Sequence, residues 1–128
     1  MRILLDTNIL LWAIIDPSRL RAKIHQQLRD ADNDILFSAA SIWEIAIKAA
    51  LGRADFKVAP EEIVNEAVVN GFVELPVHSK AALRVATLPL HHRDPFDRLL
   101  IAQAMTEPAR LYTSDAELEI YSELVVRV

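Results

Sequence analysis

The sequence contains no cysteine. Disulfide frameworks, thiolate nucleophiles, Cys-ligated zinc and iron–sulfur clusters are therefore excluded. Glycine occurs only at Gly52 and Gly71, so a glycine-rich phosphate loop has almost nothing to be built from. No apolar run approaches the ~18 residues of a transmembrane helix. The apolar stretch from Met1 to Leu5 is too brief for a signal peptide, and no small-residue cleavage site follows it. These absences lead us to expect a soluble, cytoplasmic protein with no membrane association. Positive charge is not in surplus either: 14 Lys and Arg stand against 18 Asp and Glu, for a net charge of −4. A protein that holds phosphates by bulk charge would be basic. Any polyanion bound here must be met by a local patch or by a bound metal.

What is present suits one folded unit. Of 128 residues, 52% are hydrophobic and 25% charged, which allows a sizeable core and excludes global disorder. No low-complexity stretch, repeat or linker divides the chain, so a single domain over 1–128 is expected. Ile3, Leu4 and Leu5 form a short apolar run that stops at Asp6, the pattern of a strand buried on both faces. Further strands are expected at 35–37, 72–75, 111–113 and 124–126. Helices are expected over 9–15, 19–29, 38–51, 60–70, 78–88, 94–107 and 114–120, with Gly52, Gly71, Pro89 and Pro108 as stops. Strands alternating with helices predict an α/β fold with a central parallel sheet covered on both faces. In such folds ligands sit beyond the carboxyl ends of the strands.

Acids stand at those ends. Asp6 follows the first strand, and Asp115 follows the strand 111–113. Glu44 lies in the helix 38–51, where ~100° per residue puts Ser41, Glu44 and Lys48 on one stripe. The rest of that helix is so apolar that it should be largely buried, leaving the polar stripe to face solvent or a polar pocket. Asp94 reads as the N-cap of the next helix, with Pro95 at N1 and Asp97 at N3. Asp97 shares the face of Leu100, Ile101 and Ala104, which that helix must bury. Each acid also has a structural role open to it: Asp6 as a turn or cap, Glu44 as the partner of Lys48, Asp97 in helix capping, and Asp115 in a cap where Ser114 and Glu117 have capping-box spacing. Their joint placement points further. Clustered carboxylates repel one another, and Mg²⁺ or Mn²⁺, which prefer oxygen ligands, relieves that repulsion. A carboxylate-held metal suits phosphodiester hydrolysis.

Four segments carry a family resemblance: residues 4–12 (LLDTNILLW), 38–48 (SAASIWEIAIK), 94–104 (DPFDRLLIAQA) and 112–115 (YTSD). In order and over essentially the whole chain they resemble the PIN domain, and more narrowly the VapC-type ribonuclease toxins of type II toxin–antitoxin systems. The resemblance implies a three-layer α/β/α fold, Mg²⁺- or Mn²⁺-dependent cleavage of RNA, inhibition by a small cognate antitoxin, and a homodimer. It places the acidic quartet on Asp6, Glu44, Asp97 and Asp115, as catalytic residues and metal ligands. Asn8, Thr113 and Ser114 would orient carboxylates or the attacking water. Lys48, Arg93 and Arg98 are candidate phosphate contacts. The adjacent His91 and His92 are expected to point apart in a loop and to take no part in a hard-oxygen site.

Two other classes compete. A non-catalytic PIN-like interaction module would bind a partner without cutting RNA, and the intact acids argue against it. An aspartyl-phosphate phosphatase of the haloacid dehalogenase type would need a second Asp where Asn8 stands, and a receiver domain would need paired acids beside the first strand, where only Asp6 is present.

Overall fold

In the computed structural model, which describes residues 1–52 and 56–128, the run after Met1 becomes the central strand of a five-stranded sheet. The strands are β1 (Arg2–Leu5), β2 (Asp34–Ser38), β3 (Val73–Leu75), β4 (Arg110–Thr113) and β5 (Val125–Arg127). Their order is β3-β2-β1-β4-β5 and every pairing is parallel. Ile3 and Leu5 point to one face, where they pack with Ile35, Phe37 and Tyr112. Leu4 points to the other, with Leu36, Leu75 and Leu111. A strand with both faces covered has no room for a polar residue, which explains the unbroken apolar run.

The first face is covered by α1 (Thr7–Ile15), α2 (Ala22–Arg29), α3 (Ala39–Ala50) and α4 (Pro60–Val69). The second is covered chiefly by α6 (Pro95–Thr106), with α5 (Ser79–Val85) packed against it. The result is the expected three-layer α/β/α sandwich. Among the described residues, no helix is long and apolar enough to cross a membrane.

Three helices depart from expectation. The helix foreseen over 19–29 is interrupted: Pro17–Arg19 form a 3-10 turn, and Leu20 adopts extended backbone to enter the core before α2 begins. The helix foreseen over 78–88 ends at Val85. Beyond it the Val85 carbonyl accepts the Leu88 N–H at 3.2 Å, and Arg98 donates to the carbonyls of Val85 and Leu88. The helix foreseen over 114–120 is a 3-10 turn, Ala116–Tyr121, capped by Asp115 itself rather than by Ser114.

The chain steps outward from β1 to β2 to β3, then returns to lay β4 against the other side of β1. Two crossovers therefore diverge between β1 and β4. A crevice opens there, beyond the carboxyl ends of the strands.

Candidate active site

Asp6 stands at that crevice. Its backbone N–H donates to the Tyr112 carbonyl at 3.0 Å, which ties the end of β1 to β4. Its side chain caps α1 by accepting from the Ile9 N–H at 2.8 Å. The start of α1 thus holds its Oδ1. Thr113, fully buried at the end of β4, donates to the Asp6 carboxylate and accepts the N–H of Asp115 at 3.0 Å. One hydroxyl therefore links the two strand-end acids.

Glu44 approaches from α3. The Thr7 hydroxyl donates to Ser41 at 3.0 Å, joining α1 to α3 one turn before Glu44. The polar stripe of α3 is the buried one: Ser41, Glu44 and Ile45 face inward, whereas Trp43 is 63% exposed and Ile47 and Leu51 are also exposed. This reverses the expectation of a largely buried apolar helix. Packing around a polar crevice decides which face turns inward, and periodicity alone does not encode that. Glu44 pairs with Lys48 at 3.0 Å, so the i,i+4 ion pair and the inward acid coexist.

Asp97 comes from the first turn of α6. Asp94 caps that helix, accepting from the N–H groups of Phe96 at 2.9 Å and Asp97 at 3.3 Å. The Asp97 carboxylate is thereby freed from capping and reaches the cluster.

Burial and the neighbouring acids shift two of these carboxyls. Burial pushes the Asp6 carboxyl up to about 6, with Glu44 and Asp115 adding to the rise against the hydrogen bonds from Thr113 and Ile9. Burial likewise pushes Asp97 up to about 6, with Asp94 and Asp6 adding to the rise and His92 opposing it. The four acids therefore act on one another through Asp6.

Other sequence expectations fare differently. Asn8 is exposed on the first turn of α1, and Ser114 is half-buried beside Asp115. Lys48 and Arg93 border a 440 Å³ cleft with Glu44, Ile47, Asp94, Pro95 and Phe96. Arg98 does not face this cleft as a phosphate contact. Its Nη1 donates to Pro89 O, His92 O and the Tyr121 hydroxyl, and its Nη2 to Val85 O and Leu88 O. A planar guanidinium satisfied by five acceptors is a clasp for the loop before α6.

His92 lies nearer the acids than its place in a loop suggests. The two adjacent rings do part, and His91 packs edge-on against Tyr121 with centroids 5.3 Å apart. His92, however, turns into the acids: Nε2 lies 2.9 Å from Asp97 Oδ2, and Nδ1 lies 3.4 Å from Glu117 Oε2. Burial disfavours its charged form, but Asp97, Asp115 and Glu117 together outweigh this and raise its pKa above the ordinary value. Potential ligand atoms of His92, Asp115 and Glu117 lie within 4.8 Å of one another, as do those of His92, Asp94 and Asp97. The only hint in the sequence is proximity: His92 lies five residues before Asp97.

The family profile of the PIN domain matches residues 3–124. The chain belongs to the PIN domain family. Among solved structures, this PIN domain is similar to VapBC2 from Rickettsia felis bound to a DNA fragment from their promoter. That match has a TM-score of 0.71 at 16% identity and covers 100% of this chain and 98% of that one. It is also similar to VapBC-1 from nontypeable Haemophilus influenzae, with a TM-score of 0.63, 19% identity and coverage of 92% and 90%. FitAcB from Neisseria gonorrhoeae gives a TM-score of 0.58 at 19% identity, covering 92% and 91%. At these identities the likeness establishes the fold. None of the curated proteins compared matches the chain in sequence.

Proposed function

We propose that this PIN domain is a divalent-cation-dependent endoribonuclease, the VapC-type toxin of a type II toxin–antitoxin system. One observation supports the reading: burial lifts Asp6 and Asp97 to about 6, with the charges of Glu44 and Asp115 adding to the rise at Asp6 and those of Asp94 and Asp6 at Asp97. The donor set fits a hard cation. It is built of carboxylate oxygens, and its Asp6 is only 4% exposed and lies among like charges. Asp6 and Asp97 would hold Mg²⁺ or Mn²⁺ directly, with Glu44 and Asp115 completing the shell directly or through water. Such a cation lowers the pKa of an attacking water and neutralises charge on the phosphate.

The chain's own residues do the rest. Thr113 orients Asp6 and ties it to Asp115, the Asp94 cap leaves the Asp97 carboxylate free, and Asn8 and Ser114 would orient water. Lys48 and Arg93, along the 440 Å³ cleft, offer positive charge to the RNA backbone. The VapBC complexes among the structural neighbours support a cognate antitoxin as partner. The exposed Trp43 and Ile47 on α3, with Leu51 just past its end, offer it an apolar seat beside Glu44, from which a basic side chain would reach the carboxylates. We further propose that the protein works in the cytoplasm as a homodimer. The test of the activity is direct. The purified chain should cut mixed RNA with Mg²⁺ or Mn²⁺ and stop with EDTA, and Asp6→Asn should be inactive. Undiminished cleavage in EDTA would refute the reading.

A further inference from the structure

We propose that His92 is a positioning residue, whose imidazole holds the Asp97 carboxylate in place for the cation. This rests on the reading of the acids as a cation site. The imidazole Nε2 lies 2.9 Å from Asp97 Oδ2. An ionised carboxylate can only accept, so Nε2 carries the hydrogen and has no lone pair for a cation. The bond immobilises one oxygen of Asp97 and leaves the other free. Carboxylates that ligate metals are themselves hydrogen-bonded, which fixes their orientation before the ion arrives.

The imidazole is itself held in place. The Tyr121 hydroxyl accepts the backbone N–H of His92 at 2.7 Å and that of His91 at 3.0 Å. Arg98 donates to the same hydroxyl at 3.2 Å and to the His92 carbonyl at 3.4 Å. Arg98 is the residue after Asp97 on α6, and Tyr121 closes the 3-10 turn that Asp115 opens. The clasp thus connects three pieces of backbone: the loop carrying His92, the helix carrying Asp97 and the turn following Asp115. On the outer side Nδ1 faces Glu117 Oε2 at 3.4 Å, and that carboxylate is mostly exposed. His92 therefore bridges the inner acid and the rim, and it is the only imidazole facing the acids among the described residues.

The experiment measures Mn²⁺ binding by the full chain without RNA, by calorimetry and by electron paramagnetic resonance. His92→Ala should weaken Mn²⁺ roughly tenfold to a hundredfold, the range for lost outer partners of a metal ligand. His92→Gln carries an amide Nε2 at the same number of bonds from the backbone, so it should recover affinity to within a few-fold. Tyr121→Phe, which keeps the ring and removes the hydroxyl, should weaken binding in the same direction. Bound Mn²⁺ should show no ¹⁴N modulation from a directly ligating imidazole. Unchanged affinity in His92→Ala would overturn the proposal, as would a ¹⁴N modulation that disappears in His92→Gln. If Asp6→Asn abolishes Mn²⁺ binding while His92→Ala leaves it intact, this inference alone falls. If the unaltered chain binds no Mn²⁺, the cation reading falls with it.

Discussion

Replacing Asp6 with Asn removes a charge from the most buried point of the acidic crevice and leaves its shape nearly unchanged. Asn is as good an N-cap as Asp, so the bond from Ile9 N–H survives. What disappears is the penalty of holding a carboxylate there. A carboxyl lifted from 3.8 to about 6 binds its proton more tightly in the folded protein than in the unfolded chain. At pH 7 that opposes folding by about 3 kcal/mol. That value is already net of the favourable interaction of the charge with the start of α1, so the expected gain is about 3 kcal/mol. For a chain of this size that corresponds to a rise in Tm of roughly 10–15 °C. The pH dependence follows in sign. The wild-type penalty is full above pH 6, shrinks as pH falls through 6, and is gone below about 4. Thermal melts in EDTA at pH 7, 6, 5 and 4 should therefore show the variant more stable at neutral pH and the two curves converging in acid. Saturating Mg²⁺ or Mn²⁺ should stabilise the wild type and leave the variant unmoved. A variant less stable than wild type at pH 7 in EDTA, or a gap as wide at pH 4 as at pH 7, would refute the reasoning.

Asp94→Ala should cost about 0.5–2 kcal/mol in thermal melts through loss of the α6 cap, while retaining substantial RNA cleavage at a temperature where the variant is folded. Asp97→Asn should retain the fold and lose both Mn²⁺ affinity and cleavage; if it cuts RNA while Asp94→Ala does not, the two roles must be exchanged. Arg98→Met should destabilise by about 3 kcal/mol in urea titration, because partly buried carbonyls lose a charged donor, and Arg98→Lys should fail to restore it since one ammonium cannot match a planar fork. Ile101→Ala, fully buried under the sheet, should cost about 2–5 kcal/mol without changing the metal dependence of cleavage, and a loss under 1 kcal/mol would contradict its place in the core.

The places of Asp6, Asp94 and Asp115 in the fold were legible because each sits next to a strong local signal. Asp6 ends an apolar run, Asp94 precedes a proline at the first helical position, and Asp115 follows another apolar run. Such signals are set within a few residues by backbone hydrogen bonding and by burial of alternate side chains. His92 carried no comparable signal. Its role depends on the clasp formed by Arg98 and Tyr121, and Tyr121 lies 29 residues further along the chain.

Local pattern therefore determined the strands, most helices, the cap at Asp94 and the order of the acids, because propensity, capping and hydrophobic period act over a few residues. The α/β/α layering also followed, since two-faced apolar strands can be buried in few other ways. Tertiary structure alone decided that β4 returns beside β1, bringing Asp115 to Asp6. It also decided that the polar stripe of α3 turns inward and leaves Trp43 outside, that Arg98 clasps a loop, and that His92 reaches Asp97. The physical reason is common to all four: long-range packing and hydrogen-bond satisfaction choose among orientations that are nearly equivalent for each segment alone.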